Sequence, residues 1–196
     1  MATKTSLVSC KVVLLGDSGV GKTSLANRWI SSGWNSAFKP TIGANHQRKR
    51  IVINNDNVDI FLWDTAGQEQ FRSLAPVYTR SASAVLIVAS LNDIHTFESI
   101  QSWIDIVKTT SEEIPPLILL ANKEDLDTHC IKEEEIHEKY HDLFQSIYVV
   151  SALTGKCVDD AFQCASEAAY HFFMSYNEGV TNKPIIAAST KKGGCC

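Results

Sequence analysis

The chain has 196 residues, of which 44% are hydrophobic and 20% charged, with a formal net charge of −4. The length suits one domain, the composition excludes a wholly disordered chain, and the acidic balance excludes a primary nucleic-acid binder, which needs surplus Lys and Arg. No apolar run reaches the roughly 18–20 residues that span a bilayer, and the start Met1-Ala2-Thr3-Lys4-Thr5-Ser6 has no long apolar region behind it, so no secretory leader is expected.

Val12-Val13-Leu14-Leu15 is a short all-apolar run, as expected of a strand buried on both faces. A Gly-rich turn follows, and the spacing then predicts a helix over 23–30. Arg48 to Ile53 and Val58 to Trp63 flank the turn-rich Asn54-Asn55-Asp56-Asn57, which predicts a β-hairpin and one antiparallel edge strand. Residues 84–89 read as another buried strand. Residues 96–110 read as one amphipathic helix, with Phe97, Ile100, Ile104 and Val107 on its apolar face. Pro115-Pro116 precedes a strand over 117–121, and 131–141 is a charged helix whose Glu133, Glu134 and Glu135 suit a helix start. A strand over 147–150 and a helix over 159–174 complete the pattern, and periodicity stops at Asn177. Short strands alternating with helices predict a three-layer α/β fold with a six-stranded, mostly parallel sheet. Residues 1–176 form the expected domain, and 177–196 a flexible tail carrying three Lys against one Glu.

Single residues mostly take bland readings. Cys10, Cys130, Cys157 and Cys164 lack CxxC spacing and read as small, reduced, buried hydrophobes. Trp103 reads as core, Trp34 as a partly exposed loop aromatic, and His95, His129, His137 and His141 as solvated. No spacing supports a metal other than Mg²⁺.

Three motifs carry chemistry. Gly16-Asp17-Ser18-Gly19-Val20-Gly21-Lys22-Thr23 matches G-x-x-x-x-G-K-[ST], with a strand before it and a helix after it. Gly permits the tight turn that aims backbone N–H groups at phosphates, and the helix adds its positive end. Asp17, Ser18, Gly19, Val20, Gly21, Lys22, Thr23 and Ser24 are therefore candidate phosphate-binding residues, Lys22 bridging two phosphates and Thr23 ligating Mg²⁺. Asp64-Thr65-Ala66-Gly67-Gln68-Glu69 ends a strand. There Asp64 can hold Mg²⁺, Gly67 can offer its N–H to a γ-phosphate, and Gln68 can orient an attacking water. In Asn122-Lys123-Glu124-Asp125 a carboxylate can accept from N1–H and N2–H₂ of guanine, with Asn122 bonding nearby and Lys123 packing on the base. A polar loop capping the next helix is the alternative for that tetrapeptide.

Together these motifs resemble the small Ras-like GTPases, and more closely the Rab family. Trp63 to Glu69, the Asn122 motif, Ser151-Ala152 and the terminal Cys pair recur there in this order. The resemblance implies a Ras-like P-loop NTPase fold, and a switch between GTP and GDP with Mg²⁺ that regulates vesicle traffic. It implies catalytic roles for Gln68, Lys22 and Thr41, with Thr41 also touching Mg²⁺. Phe38 would lie over the ribose, and Ser151, Ala152 and Leu153 would border guanine, with the Ala152 N–H on its O6. His46, Trp63 and Tyr78 would form an effector patch. Cys195 and Cys196 would be geranylgeranylated, anchoring a monomer to the cytosolic face of endosomal or other vesicular membranes. Partners implied are an exchange factor, a GTPase-activating protein, effectors, and prenylation and membrane-extraction chaperones.

The chain departs from the family at Leu153, where Lys is frequent, at His46, where Phe is usual, and across Tyr78-Thr79-Arg80-Ser81-Ala82. Ile42-Gly43-Ala44 and Ser73-Leu74-Ala75-Pro76 look somewhat like the early-endosomal subgroup. None of Arg28, Arg48, Arg50, Arg72 and Arg80 has an obvious place as a catalytic finger, so one is expected from a partner. An ATP-using kinase or transferase would have no use for the Asn122 motif. A module that holds GTP without hydrolysing it would have no use for Gln68.

Overall fold

The computed structural model describes residues 7–31, 41–68 and 72–181, with side chains to residue 177. Trp34, Phe38, Glu69, Cys195 and Cys196 lie outside these residues. The elements run β1 (Leu7–Leu15), α1 (Lys22–Ser31), β2 (Ala44–Ile53), β3 (Asp56–Thr65), α2 (Ala75–Thr79) and β4 (Ala84–Ser90). They continue with α3 (Ile94–Glu98), α4 (Ile100–Thr110), β5 (Leu117–Asn122), α5 (Glu133–Tyr140), β6 (Ser146–Val149) and α6 (Val158–Thr181).

The six strands order as β2-β3-β1-β4-β5-β6. Only β2, an edge strand, runs antiparallel to its neighbour. β4 and β5 are buried at every position, as their apolar sequences up to the closing Ser90 and Asn122 require of parallel strands covered on both faces. One apolar layer packs Leu25 and Trp29 of α1 against Val158, Phe162 and Ala165 of α6, with Trp29 stacked on Phe162 at 4.8 Å. The opposite layer packs Phe97, Trp103, Ile104 and Val107 with Ile136 and Tyr140 of α5. The expected three-layer α/β fold is therefore present.

Several elements differ from the sequence expectation. β1 begins five residues before Val12, because Val8 and Cys10 point inward while Leu7 and Ser9 are exposed. Such alternation hides from a search for all-apolar runs. The expected helix over 96–110 is broken at Ser99 into α3 and α4. Ser99 Oγ donates to His95 O at 3.0 Å, and Thr96 Oγ1 donates to Asp93 O at 2.7 Å, so hydroxyls compete for the carbonyls of the first turn. The five-residue α2, with Pro76 in its first turn, was not expected. α6 continues past Met174 to Thr181. Cys10 is buried, but Cys130 and Cys157 are exposed, which corrects the reading of these thiols as core residues. Cys157 has a φ of 53° and lies exposed in the turn entering α6, next to Val158, which takes the buried position there.

The hairpin turn is tighter than the four polar residues suggested. Ile53 already pairs with Asp56, leaving Asn54 and Asn55 as the turn, with φ of 50° and 70°. Both values are left-handed, the requirement of the two-residue turn that matches strand twist. Beyond the turn, Asp56 Oδ2 accepts from Tyr170 Oη at 2.7 Å, which fastens the hairpin tip to α6. Asn tolerates this backbone and a β-branched residue does not. Asn55→Val is expected to cost about 1–2 kcal/mol in urea unfolding, and Asn55→Gly to leave stability unchanged or slightly raised.

Candidate functional site

The loops that follow β1, β3, β5 and β6 all leave the same end of the sheet, where β1 lies between β3 and β4 and the chain direction of travel reverses. That is the crevice where open parallel sheets hold ligands. The loops enclose a cleft of about 620 Å³ lined by Gly21, Lys22, Thr23, Gly67, Asn122 and Asp125, among others.

The loop 16–21 wraps the start of α1. Gly21 has a φ of 101°, and a Cβ there would collide with the Asn122 amide. Lys22 is buried, and its ammonium donates to Gly16 O at 2.7 Å and Asp17 O at 2.8 Å. Gly67 lies so close that a Cβ would strike Lys22 Nζ and the Asp17 carbonyl, so only Gly brings the loop after β3 onto the loop after β1. Ser18, Gly19, Ser24 and Gln68 line the same cleft, while Val20 is fully buried beneath it.

Three oxygens meet beside Lys22. Thr23 Oγ1 lies 2.7 Å from Asp64 Oδ2 and 2.8 Å from Thr41 Oγ1, which in turn lies 3.4 Å from Asp64 Oδ2. Asp64 is buried at the end of β3, and its Oδ1 has no hydrogen-bond partner. A buried carboxylate oxygen without a partner among hydroxyls is a donor set that suits a small hard cation such as Mg²⁺. Burial raises the Asp64 carboxyl above its ordinary value, against the opposing pull of the Thr23 hydroxyl and Lys22.

On the other side of the cleft, the Asn122 side chain joins two loops. Its Nδ2 donates to Val20 O at 2.8 Å, and its Oδ1 accepts from Ala152 N at 3.1 Å. Lys123 holds a left-handed φ of 71°, and its ammonium reaches Asn92 Oδ1 at 3.4 Å. Asp125 Oδ1 accepts from Ser151 Oγ at 2.5 Å. Leu153 lines the mouth of the cleft and is 46% exposed.

Away from the cleft, His46, Trp63 and Tyr78 form a row of rings. His46 stacks on Trp63 at 5.6 Å, and Tyr78 lies 6.2 Å beyond, with the Lys11 ammonium 4.7 Å from the Trp63 ring. The structure also joins residues with no sequence signal. Trp103 is core, as expected, but its indole donates to Asp17 Oδ1 at 2.9 Å, and the Arg72 guanidinium lies 4.4 Å over its ring. Arg28 donates to the carbonyls of Ala152 and Leu153. These partners lie 86 and more than 120 positions apart, so spacing could not reveal them.

Residues 11–171 match the model of the Ras family. The chain is 36% identical to the Ras-related protein RABG3b of Arabidopsis thaliana, covering 81% of this chain and 82% of that protein. It is 32% identical to the Ras-related protein Rab-7b of Paramecium octaurelia, over 95% of this chain and 96% of that one. Identity is also 32% to the Ras-related protein Rab-7a of Dictyostelium discoideum, over the whole of both chains. The chain belongs to the Ras family and is a Rab GTPase, a small GTP hydrolase.

Burial pushes the Lys22 ammonium down from 10.5 to about 8, despite the opposing charges of Asp64 and Asp17. The unfolded chain therefore binds more protons between these values, so the ligand-free protein gains stability as pH rises from about 8. A phosphate beside Lys22 reverses the preference by favouring the charged form. Binding of a phosphate-bearing ligand is expected to take up a proton above about pH 8 and to weaken as pH rises further. Calorimetry in two buffers of different ionisation heat measures that uptake, and a zero value at pH 9 contradicts it.

Proposed function

We propose that the protein cycles between GTP- and GDP-bound states to regulate vesicular membrane traffic, with slow hydrolysis as the timer and a partner needed for full rate. The observation that carries this reading is the Asn122 bridge, which brings the loop for phosphates and the loop for a base to the walls of one cleft. In this reading Asp17 to Ser24 cradle the phosphates, Lys22 neutralises them, and Gly67 donates its N–H to the γ-phosphate. Gln68, which lines the cleft, orients the attacking water. Thr23, Thr41 and Asp64 are the residues that would hold Mg²⁺, which when bound offsets charge on the phosphate oxygens. Asn122, Lys123, Asp125 and the segment Ser151-Ala152-Leu153 read guanine, with Phe38 over the ribose.

Loss of the γ-phosphate removes the partner of Thr41 and Gly67, so the loops that carry them change surroundings with nucleotide state. The ring row His46, Trp63 and Tyr78 adjoins both loops and is the proposed effector face. Exchange factor, activating protein and effectors are the partners, and catalysis draws on an arginine from the activating protein. Residues 177–196 are a mildly basic segment that ends in Cys195 and Cys196. Two prenyl chains there would anchor the protein to endosomal or other vesicular membranes, since one modest chain holds only marginally. Chaperones for prenylation and membrane extraction would then be required.

Base choice is tested by denaturing the purified protein and identifying the nucleotide released, which is expected to be GDP or GTP. Asp125→Asn presents a donor where guanine also donates, and is expected to cost roughly 1.5–3 kcal/mol, or about ten- to a hundredfold in GDP affinity. Adenine nucleotide in the released material sinks the guanine reading. Intrinsic single-turnover hydrolysis is expected on the order of 10⁻⁴ s⁻¹, as in Ras, with Gln68→Leu insensitive to an activating partner. A Gln68→Leu protein that responds like wild type removes Gln68 from the chemistry.

A further inference from the structure

Arg28 is one residue that the phosphate, cation and base readings leave without a role. It lies in α1, six residues after Lys22, with its side chain crossing to the loop after β6. Arg28 Nε donates to Ala152 O at 2.9 Å, and Nη2 donates to Leu153 O. Two carbonyls on consecutive residues therefore meet the fork of one guanidinium. A planar fork with fixed donor directions can hold both, whereas a Lys ammonium is a point charge on a flexible stem.

The geometry of that loop gives the contact a consequence. Ala152 presents its N–H to the cleft wall, where it meets Asn122 Oδ1 at 3.1 Å, and its carbonyl to Arg28. The rest of the loop is held from the opposite side. Thr154 N donates to Ser151 Oγ at 3.0 Å, Gly155 N donates to Ser151 O at 2.8 Å, and Ser151 Oγ reaches Asp125. Those bonds, with Asn122, hold the 151–152 peptide that carries the Ala152 N–H, while Arg28 holds the next two peptides by their carbonyls. Leu153 itself is half exposed at the mouth and offers no polar group to steady them.

We propose that Arg28 is a positioning residue for base selection. Its guanidinium fixes the 152–153 peptide through the Ala152 carbonyl, and so holds the Leu153 N–H, which points the opposite way in the same trans peptide, where it can donate to the six-position oxygen of a purine. α1 thereby carries Lys22 at one end and the brace for the base loop at the other, which fixes the distance between the phosphate and base halves of the cleft. This inference rests on the guanine reading above. It goes beyond it by making one helix residue, outside the base motifs, a determinant of how strongly the six-position oxygen is felt.

The test compares two ligands on the full chain with Mg²⁺ present. One is ribose-labelled GDP, and the other is the same diphosphate of 2-aminopurine riboside, which keeps the 2-amino group but lacks the six-position oxygen. Wild type is expected to release the analogue faster than GDP. Arg28→Met keeps most of the apolar stem and removes both donors. It is expected to release GDP about tenfold faster, equivalent to about 1.4 kcal/mol, while release of the analogue changes by less than about twofold. Arg28→Lys, which restores a charge but not the fork, is expected to fall between. A general loosening of the fold would speed both ligands alike, and equal acceleration overturns the proposal. So does a GDP release rate in both variants that matches wild type. Failure of wild type to bind either guanine-type ligand overturns the base reading itself, an outcome distinct from wild type that binds GDP with no response to Arg28.

Discussion

A buried amide ties the two halves of the cleft together. Asn122 is 1% exposed, and both ends of its side chain are satisfied, one by the Val20 carbonyl and the other by the Ala152 N–H. A buried polar side chain left unpaired costs about 1–3 kcal/mol, so the loops after β1, β5 and β6 are held in one mutual arrangement. Gly21 exists because of that contact. Any side chain there would occupy the space of the Asn122 amide.

Electrostatically the cleft is prepared for an anion beside a cation. Lys22 spends its hydrogen bonds on two backbone carbonyls, which hold the ammonium in place without neutralising it. Asp64 lies close enough to interact with that charge, yet burial dominates both groups and moves each toward its neutral form. Both penalties are relieved when phosphate and a divalent cation arrive together. The protein thus stores unfavourable desolvation at the site, and a ligand of the right charge pattern recovers it.

Much of this was legible in the sequence, for identifiable reasons. The all-apolar strands β4 and β5 and the apolar faces of the helices are set by local pattern, and each motif stands at the end of a strand where a ligand loop belongs. What escaped was decided by long-range geometry or by hydroxyl competition. The alternating start of β1 depends on pairing with β3, which no window around Leu7 contains. The break at Ser99 depends on which carbonyl a hydroxyl captures. The spacing places Trp103 in the core, where its ring lies, but the indole N–H also reaches Asp17. Exposed Cys157 shows the limit of composition, since a residue type that favours the interior can still fall on the solvent side of a turn.

The bond between Tyr170 and Asp56 clamps one end of the β2–β3 ribbon to the longest helix. The other end of the ribbon reaches the cleft at Thr65 and Ala44, where Gly43 O accepts from Ala66 N at 2.7 Å. β3 is also paired with β1 from Asn57 to Asp64, so one strand of the ribbon is held along its length as well as at its tip. β2 is bonded on one side only, and the strand least held by the sheet is therefore the one that carries His46, whose ring stacks on Trp63 of the held strand.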